Sequence, residues 1–365
     1  MCSGEVSTPW ADERTNPLAQ RLFRSAIAAL DLYALYLGDR LGLYSALAES
    51  GPATPGELAG ITGTSERYVR EWLEHQAVSG VLTVDDPAAD ALSRRYSLPP
   101  EHVEVLVDQD SLSYEAHKGI DIVRGARRLP DLVEAFRTGS GVPPLPWEPE
   151  GRAEFNRARF KKLLGTRWLP SIPEVHARLR SDPPARVADL GCGTGWSSIA
   201  MAQAYPKVAV DGFDLDEAAI AEARKHAVEA GLDGRVRFQA RDVAELAGSE
   251  PYDLITVFEA LHDMARPIEV LRVMRALVAE EGSVVVADER VGERFAIPAE
   301  DQEVYVYGWS VVDCLSASMG DPSFAQTGAV MRPDTLRRYA LEAGFGNLEV
   351  LSIEDLQWRF YRLLP

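Results

Sequence analysis

The residues best suited to chemistry fall in four short segments of the second half of this 365-residue chain. The first, VADLGCGTGW (187–196), sets an acid and three glycines in the pattern D-x-G-x-G-x-G: Asp189, Gly191, Gly193 and Gly195. Glycines let a backbone approach a ligand closely and adopt positive φ. In open parallel sheets, ligands bind beyond the carboxyl ends of the strands, beside such a turn. A nicotinamide fingerprint needs a further glycine where Trp196 stands, and a phosphate-binding P-loop needs GK[ST]; neither is present. The second segment, GFDLDEAAI, brings in Asp214, nineteen residues past Gly195 (214 minus 195). An acid at a strand end can accept hydrogen bonds from ribose hydroxyls. Its competing role is a helix N-cap, for which Asp216 is better placed. The third, VRFQARDVAE, places Asp242 and Val243 after a strand. The fourth, YDLITVFEALHDM, ends a strand near Phe258 and Glu259 and continues into His262 and Asp263. Imidazole titrates near neutral pH and suits proton removal from a hydroxyl. The competing role for His262 is to cap or orient its loop.

Composition narrows the classes. The net charge of −18 repels nucleic acid unless a basic patch is built locally, and no such patch is visible. No run approaches the roughly 18 apolar residues that cross a bilayer. The N-terminus lacks a basic segment followed by an apolar one, so no secretory signal is expected. The three cysteines, Cys2, Cys192 and Cys314, have no zinc-type or redox-type spacing. His75, His102, His117, His176 and His226 are scattered without ligand spacing. The expectation is a reduced cytoplasmic protein without a metal or membrane span. Cys192 reads as a small structural residue of the glycine loop.

The elements that must position these residues divide the chain into a flexible tail (1–16) and three parts. Residues 17–98 open with an apolar run, Leu30–Leu47, that must be covered on every side, either within its own domain or by a second subunit. Thr54, Pro55 and Glu57 make a capping box for one helix. A second helix from near Ser65 puts Val69, Trp72, Leu73 and Ala77 on one face, and VLTV and RRYSL follow as short strands around an acidic turn. Helix, turn, helix and a two-stranded wing is the winged-helix arrangement. Residues 99–184 look helical, with a Pro/Gly-rich break holding Trp147, either a lid or a connector. Residues 185–365 alternate strands with helical patterns, which predicts an α/β fold with a parallel sheet covered on both faces; LEVLSI and WRFYRL close it as an antiparallel hairpin.

The glycine pattern and the strand ends after it resemble the class I S-adenosylmethionine-dependent methyltransferases, over the whole of 185–365. That resemblance implies a Rossmann-like seven-stranded sheet and S-adenosylmethionine as cofactor. It implies Asp214 on the ribose, Leu215 beside the adenine, Asp242 on the adenine amino group and the Val243 amide on the ring. It places Phe258 and Glu259 by the methionine part. The segments ELAGITGTSERYVREWLEHQAVSGVL, ALHDMARPIEVL and TGAVMRPDTLRRYALEAGF resemble, more narrowly, actinobacterial methyltransferases with an N-terminal winged-helix domain. Small-molecule O-methyltransferases are similar in layout and use that domain for dimerisation and pocket closure. The implied protein is a homodimer acting on a small-molecule acceptor, at a hydroxyl first, with nitrogen and carbon as the alternatives, and with His262 as base and Asp263 beside it. QEVYVYGWSVVDCLSASMGD, with Tyr305, Trp309 and Met319, would cover the acceptor, and Trp147 would wall it. The chain departs from plant-type enzymes downstream of Asp263. Two other functions stand beside this one: a transcriptional regulator, and a diverged S-adenosylmethionine-binding protein with another activity. Against the regulator, SERYVREWLEH sets Arg67 and Arg70 among Glu66, Glu71 and Glu74, and the wing carries Asp85, Asp86 and Asp90.

Overall fold

The structure, a computed structural model, describes residues 16–143, 156–246 and 250–364. Trp147 lies outside the described residues. The chain forms two compact units that divide between Val123 and Arg124, inside the helix His117–Thr138.

In the first unit, Asn16 caps the long helix Pro17–Arg40 by accepting from the Leu18 amide at 2.8 Å. A turn at Gly42 leads into the helix Leu43–Ser50. The apolar run Leu30–Leu47 therefore has two fates. Leu43, Tyr44 and Leu47 enter the core with Leu58, Leu73 and Tyr96, while Leu30 is 59% exposed. The capping box forms as the sequence predicts: the Thr54 hydroxyl accepts from the Glu57 amide, and the Glu57 carboxylate accepts from the Thr54 amide. Helices Pro55–Thr62 and Glu66–Val78 are followed by β1 (Thr83–Val84) and β2 (Tyr96–Ser97), paired antiparallel. Two buried polar contacts fix the packing. The Tyr44 hydroxyl donates to Gln76 at 2.5 Å, and the Trp72 indole donates to the Ala34 carbonyl at 2.9 Å.

In the second unit, β3 (Arg186–Leu190), β4 (Ala209–Asp214), β5 (Val236–Ala240), β6 (Tyr252–Phe258), β7 (Val278–Glu289), β8 (Asn347–Val350) and β9 (Trp358–Leu364) form one sheet. Its order is β5-β4-β3-β6-β7-β9-β8. β3 to β7 are mutually parallel, and β9 runs antiparallel to both β7 and β8, as the predicted hairpin requires. Alternate residues feed two cores, because helices cover both faces of a parallel sheet. Val187, Val210 and Leu254 pack with Ile199, Met201 and Ile220 on one side. Leu190, Ile255 and Val284 pack with Leu271, Met274 and Leu336 on the other. The chain leaves β3 toward β4 on one side and β6 toward β7 on the other. The carboxyl end of β3 is thus the switch point where such sheets hold ligands.

Candidate active site

The turn after β3 is held by its neighbour. The amides of Gly191 and Cys192 donate to the Phe213 carbonyl at 2.8 and 3.1 Å. Gly195 has φ +83, and a Cβ there would stand 2.4 Å from the Phe238 ring on β5, so the helix Trp196–Ala204 starts this close to the sheet only with glycine at its cap. A Cβ on Gly193 would instead meet open space, which leaves backbone facing the ligand side of the turn.

Asp214 ends β4. One of its oxygens accepts from the Gly193 amide at 2.8 Å and the other from the Asp216 amide at 3.0 Å. A carboxylate offers about four acceptor positions, so two remain for a pair of hydroxyls. Asp216 takes the cap of the helix Glu217–Glu229, accepting from Ala218 and Ala219. This is the division of labour expected from their spacing. Leu215, between them, is 72% exposed, leaving an uncovered apolar surface where the adenine was expected. Asp242 accepts from the Ala244 amide at 2.9 Å and starts the short turn Val243–Glu245; the Val243 side chain is buried. These features fit an adenosine: a backbone cradle, an acid with spare lone pairs, and an apolar surface.

Two residues expected to face the cofactor have other surroundings. Asp189 is buried beneath the turn and accepts from the hydroxyls of Ser197, Ser198 and Thr256 at 2.5, 2.6 and 2.8 Å. Burial raises its pKa against the effect of those donors. Its carboxyl braces the turn from below. The Phe258 ring packs edge-on against Phe160 and stacked on Trp358, within the core. Glu259 follows with φ +51; its amide donates to the Ala287 carbonyl, and its carboxylate accepts from the Asn156 amide group. Cys192 is buried, and burial followed by the fields of Asp189 and Asp214 holds its thiol well above the usual range, as suits a structural residue.

His262 sits on the single turn Leu261–Asp263 after β6, and only 2% of it is exposed. Its Nδ1 lies 2.6 Å from Asp288 and its Nε2 3.3 Å from Asp263. The Cys314 sulfur is within hydrogen-bonding reach of the ring. Burial works against a charge on this imidazole. Asp288 and Asp263 outweigh it and hold the ring well above its ordinary pKa. Asp288 also accepts from the Glu289 amide at 2.8 Å. Burial, with the Glu259 carboxylate next, pushes Glu289 up.

A continuous helical stretch follows β7 later in the chain: Asp301–Trp309, a π-helical turn Ser310–Cys314, then Leu315–Ser318. Tyr305 and Trp309 meet edge to face at 6.1 Å, and Met319 follows the last turn, half-buried. Buried Arg128 clamps the π-helical turn, donating to the Val312 carbonyl and Ser316 hydroxyl and pairing with Asp313 at 3.3 Å. Arg332 pairs with Glu303 at 2.7 Å and ties the start of the stretch down.

Sequence reasoning missed Asp288, Glu289, Cys314 and Arg128. For the two acids a signal existed, since they end a parallel strand just as Asp214 does. For Cys314 and Arg128 there was none, because their partners are set by tertiary packing.

The fold is of the class I methyltransferase kind, preceded by a winged-helix domain. Residues 181–330 match the methyltransferase domain family, and residues 28–108 match the Rv2258c-like winged HTH domain family. A ubiquinone biosynthesis O-methyltransferase of Bordetella avium is 37% identical over 140 residues, 38% of this chain. That match spans 53% of the relative's own length. Two solved structures share the fold. Mitomycin 7-O-methyltransferase has a TM-score of 0.67 at 21% identity, covering 95% of this chain and 97% of its own. Human N-acetylserotonin methyltransferase, solved with S-adenosylmethionine, has 0.69 at 17% identity, covering 97% and 99%.

Proposed function

We propose that this protein transfers a methyl group from S-adenosylmethionine to a hydroxyl of a small, partly apolar acceptor. The observation that carries the proposal is the adjacency, at the carboxyl ends of the neighbouring strands β3, β6 and β7, of the glycine turn and the buried His262–Asp288 pair. The sulfonium, when bound, supplies an already activated methyl group. What remains for the chain is to hold an oxygen in line at near-attack distance and to take its proton. The Gly191–Gly195 turn, Asp214 and Leu215 hold the nucleoside. Asp242 and the Val243 amide read the adenine, and Glu259 stands at the methionine end. Asp288 engages Nδ1 of His262, which leaves Nε2 as the proton acceptor, and Asp263 flanks it. The carboxylates raise the proton affinity of the ring, so its neutral form is a stronger base than free imidazole. Tyr305, Trp309 and Met319 offer a flat apolar surface to the acceptor, with Trp147 as a further candidate wall.

A second reading is favoured by one observation: His262 is almost fully buried and both its nitrogens face carboxylates. In that reading the imidazole orients the turn, and methyl transfer proceeds by positioning alone. Asp189 and Phe258 support the cofactor site from beneath in both readings.

Calorimetry with S-adenosylhomocysteine, followed by labelled-methyl transfer to a panel of hydroxylated aromatics, tests the function. Saturable binding and a methyl ether product are expected. Failure to bind S-adenosylhomocysteine at millimolar concentration overturns it. Nucleic acid is not an expected partner: Arg67 pairs with Glu71, Arg70 with Glu66 and Arg94 with Glu74, so the basic residues of this helix-and-wing surface are already matched by acids.

The acting form is proposed to be a homodimer through the N-terminal domain. Leu18, Leu22, Ile27, Leu30 and Leu37 are each 46–59% exposed along the helix Pro17–Arg40, an apolar surface that a two-fold interface covers most simply. Light scattering should give twice the 40.1 kDa chain mass at micromolar concentration, and a monomer contradicts the proposal. Among the described residues no helix is long and apolar enough to cross a membrane; a reduced cytoplasmic setting is proposed because Cys192 and Cys314 form no disulfide among the described residues.

A further inference from the structure

Cys314 has no part in methyl transfer as proposed above, yet it lies where a donor to a metal would lie. Its sulfur, one Asp263 oxygen and one His262 ring nitrogen all fall within 4.8 Å of one another. We propose that these three side chains form a zinc site with its fourth position open.

The donor chemistry selects the ion. A thiolate with an imidazole favours zinc over magnesium or calcium, which prefer all-oxygen shells. Zinc–ligand bonds of about 2.0–2.3 Å in a tetrahedron put donors roughly 3.3–3.8 Å apart. The His262 Nε2 to Asp263 separation of 3.3 Å is already in that range.

Two further observations point the same way. Asp288 engages Nδ1 at 2.6 Å, which leaves Nε2 for the metal and reproduces the carboxylate–histidine–zinc arrangement that orients metal-binding imidazoles. The other Asp288 oxygen is buried and has no hydrogen-bond partner among the described residues. The donors also ride on held elements. His262 and Asp263 occupy one tight turn at the end of β6. Cys314 closes the π-helical turn that Arg128 clamps, and such turns recur at functional sites. Asp263, a quarter exposed, gives an ion its way in.

Zinc on Nε2 occupies the lone pair that proton removal would use. Where His262 is the base, metal binding therefore blocks turnover; that consequence rests on the proposed function, whereas the site itself does not.

The test uses the full chain with Cys2→Ser and Cys192→Ser, so that Cys314 is the sole thiol. Zinc is titrated against a chromogenic chelator with no cofactor or acceptor present. One equivalent binding with Kd below about 1 µM is expected. Cobalt in place of zinc should show a thiolate charge-transfer band and tetrahedral ligand-field bands. Asp288→Asn should weaken zinc by about 10–100-fold, and Cys314→Ser should weaken it further and remove the thiolate band. Thermal melting of each variant confirms folding, and the cobalt spectrum reads the site with Cys314 in place. Weak or non-stoichiometric zinc binding, a cobalt spectrum without the thiolate band, or zinc affinity indifferent to Cys314→Ser overturns the site. Methyl transfer in metal-free buffer then reports on the function separately, since neither result depends on the other.

Discussion

Alanine in place of His262 is expected to lower turnover by about 10²–10⁴-fold, the range over which positioned acid–base groups contribute. The ring is buried on the turn after β6 with Nδ1 on Asp288, and neither group belongs to the β3–β5 ends assigned to the nucleoside. Affinity for S-adenosylhomocysteine should therefore stay essentially unchanged. Asp288→Asn keeps the shape of the partner but weakens its hold on the Nδ1 proton, so a smaller loss in turnover is expected with little change in acceptor KM. Asp263→Asn should cost less again, because that carboxylate is farther from the ring and partly hydrated. Near-wild-type turnover in His262→Ala would leave positioning as the whole of catalysis. Loss of S-adenosylhomocysteine binding in the same variant would make the imidazole a support for the turn.

Asp214→Ala should cost the cofactor about as much. Two charge-assisted hydrogen bonds to ribose hydroxyls, at roughly 1.5–3 kcal/mol each, correspond to about 10²–10⁴-fold in affinity. The structure adds a reason for the upper part of that range. The same carboxylate accepts from the Gly193 and Asp216 amides, so its removal also frees the turn that forms the cradle. Asp214→Asn retains one acceptor oxygen and is expected to lie between. Calorimetry with S-adenosylhomocysteine reads the effect, and thermal melting separates lost contacts from lost folding. Unchanged affinity in Asp214→Ala would remove this residue from the ribose site.

Much of the fold was legible because it is written in short-range rules. The Thr54–Glu57 capping box, the Asp216 cap and the hairpin of β8 and β9 each follow from residues within one or two turns of chain. The strand–turn–helix at Asp189–Trp196 is legible for the same reason: positive φ at Gly191, Gly193 and Gly195 is a local demand that only glycine meets cheaply. The choice between Asp214 and Asp216 for the helix cap also resolved as their spacing implied, since Asp216, nearer the helix, takes it.

What only the tertiary structure decided involves direction and distant partners. Alternation along β3 and β6 says that one set of residues faces each side, but not what waits there. Asp189 meets three hydroxyls beneath the turn, and Phe258 meets Phe160 and Trp358. The apolar run Leu30–Leu47 shows no local sign of where burial stops; the turn at Gly42 rotates Leu43, Tyr44 and Leu47 inward and leaves Leu30 outside. His262 was visible as a histidine after a strand. Its partner Asp288 comes from the next strand, and Cys314 from the helical stretch beyond, held there by Arg128. Sequence by itself determined the glycine turn after β3 and the helix caps beside it, because backbone conformation and capping depend on neighbours in the chain. Packing of the sheet decided the surroundings of His262, because hydrogen bonds and charge interactions depend on distance in space, which residue spacing does not encode.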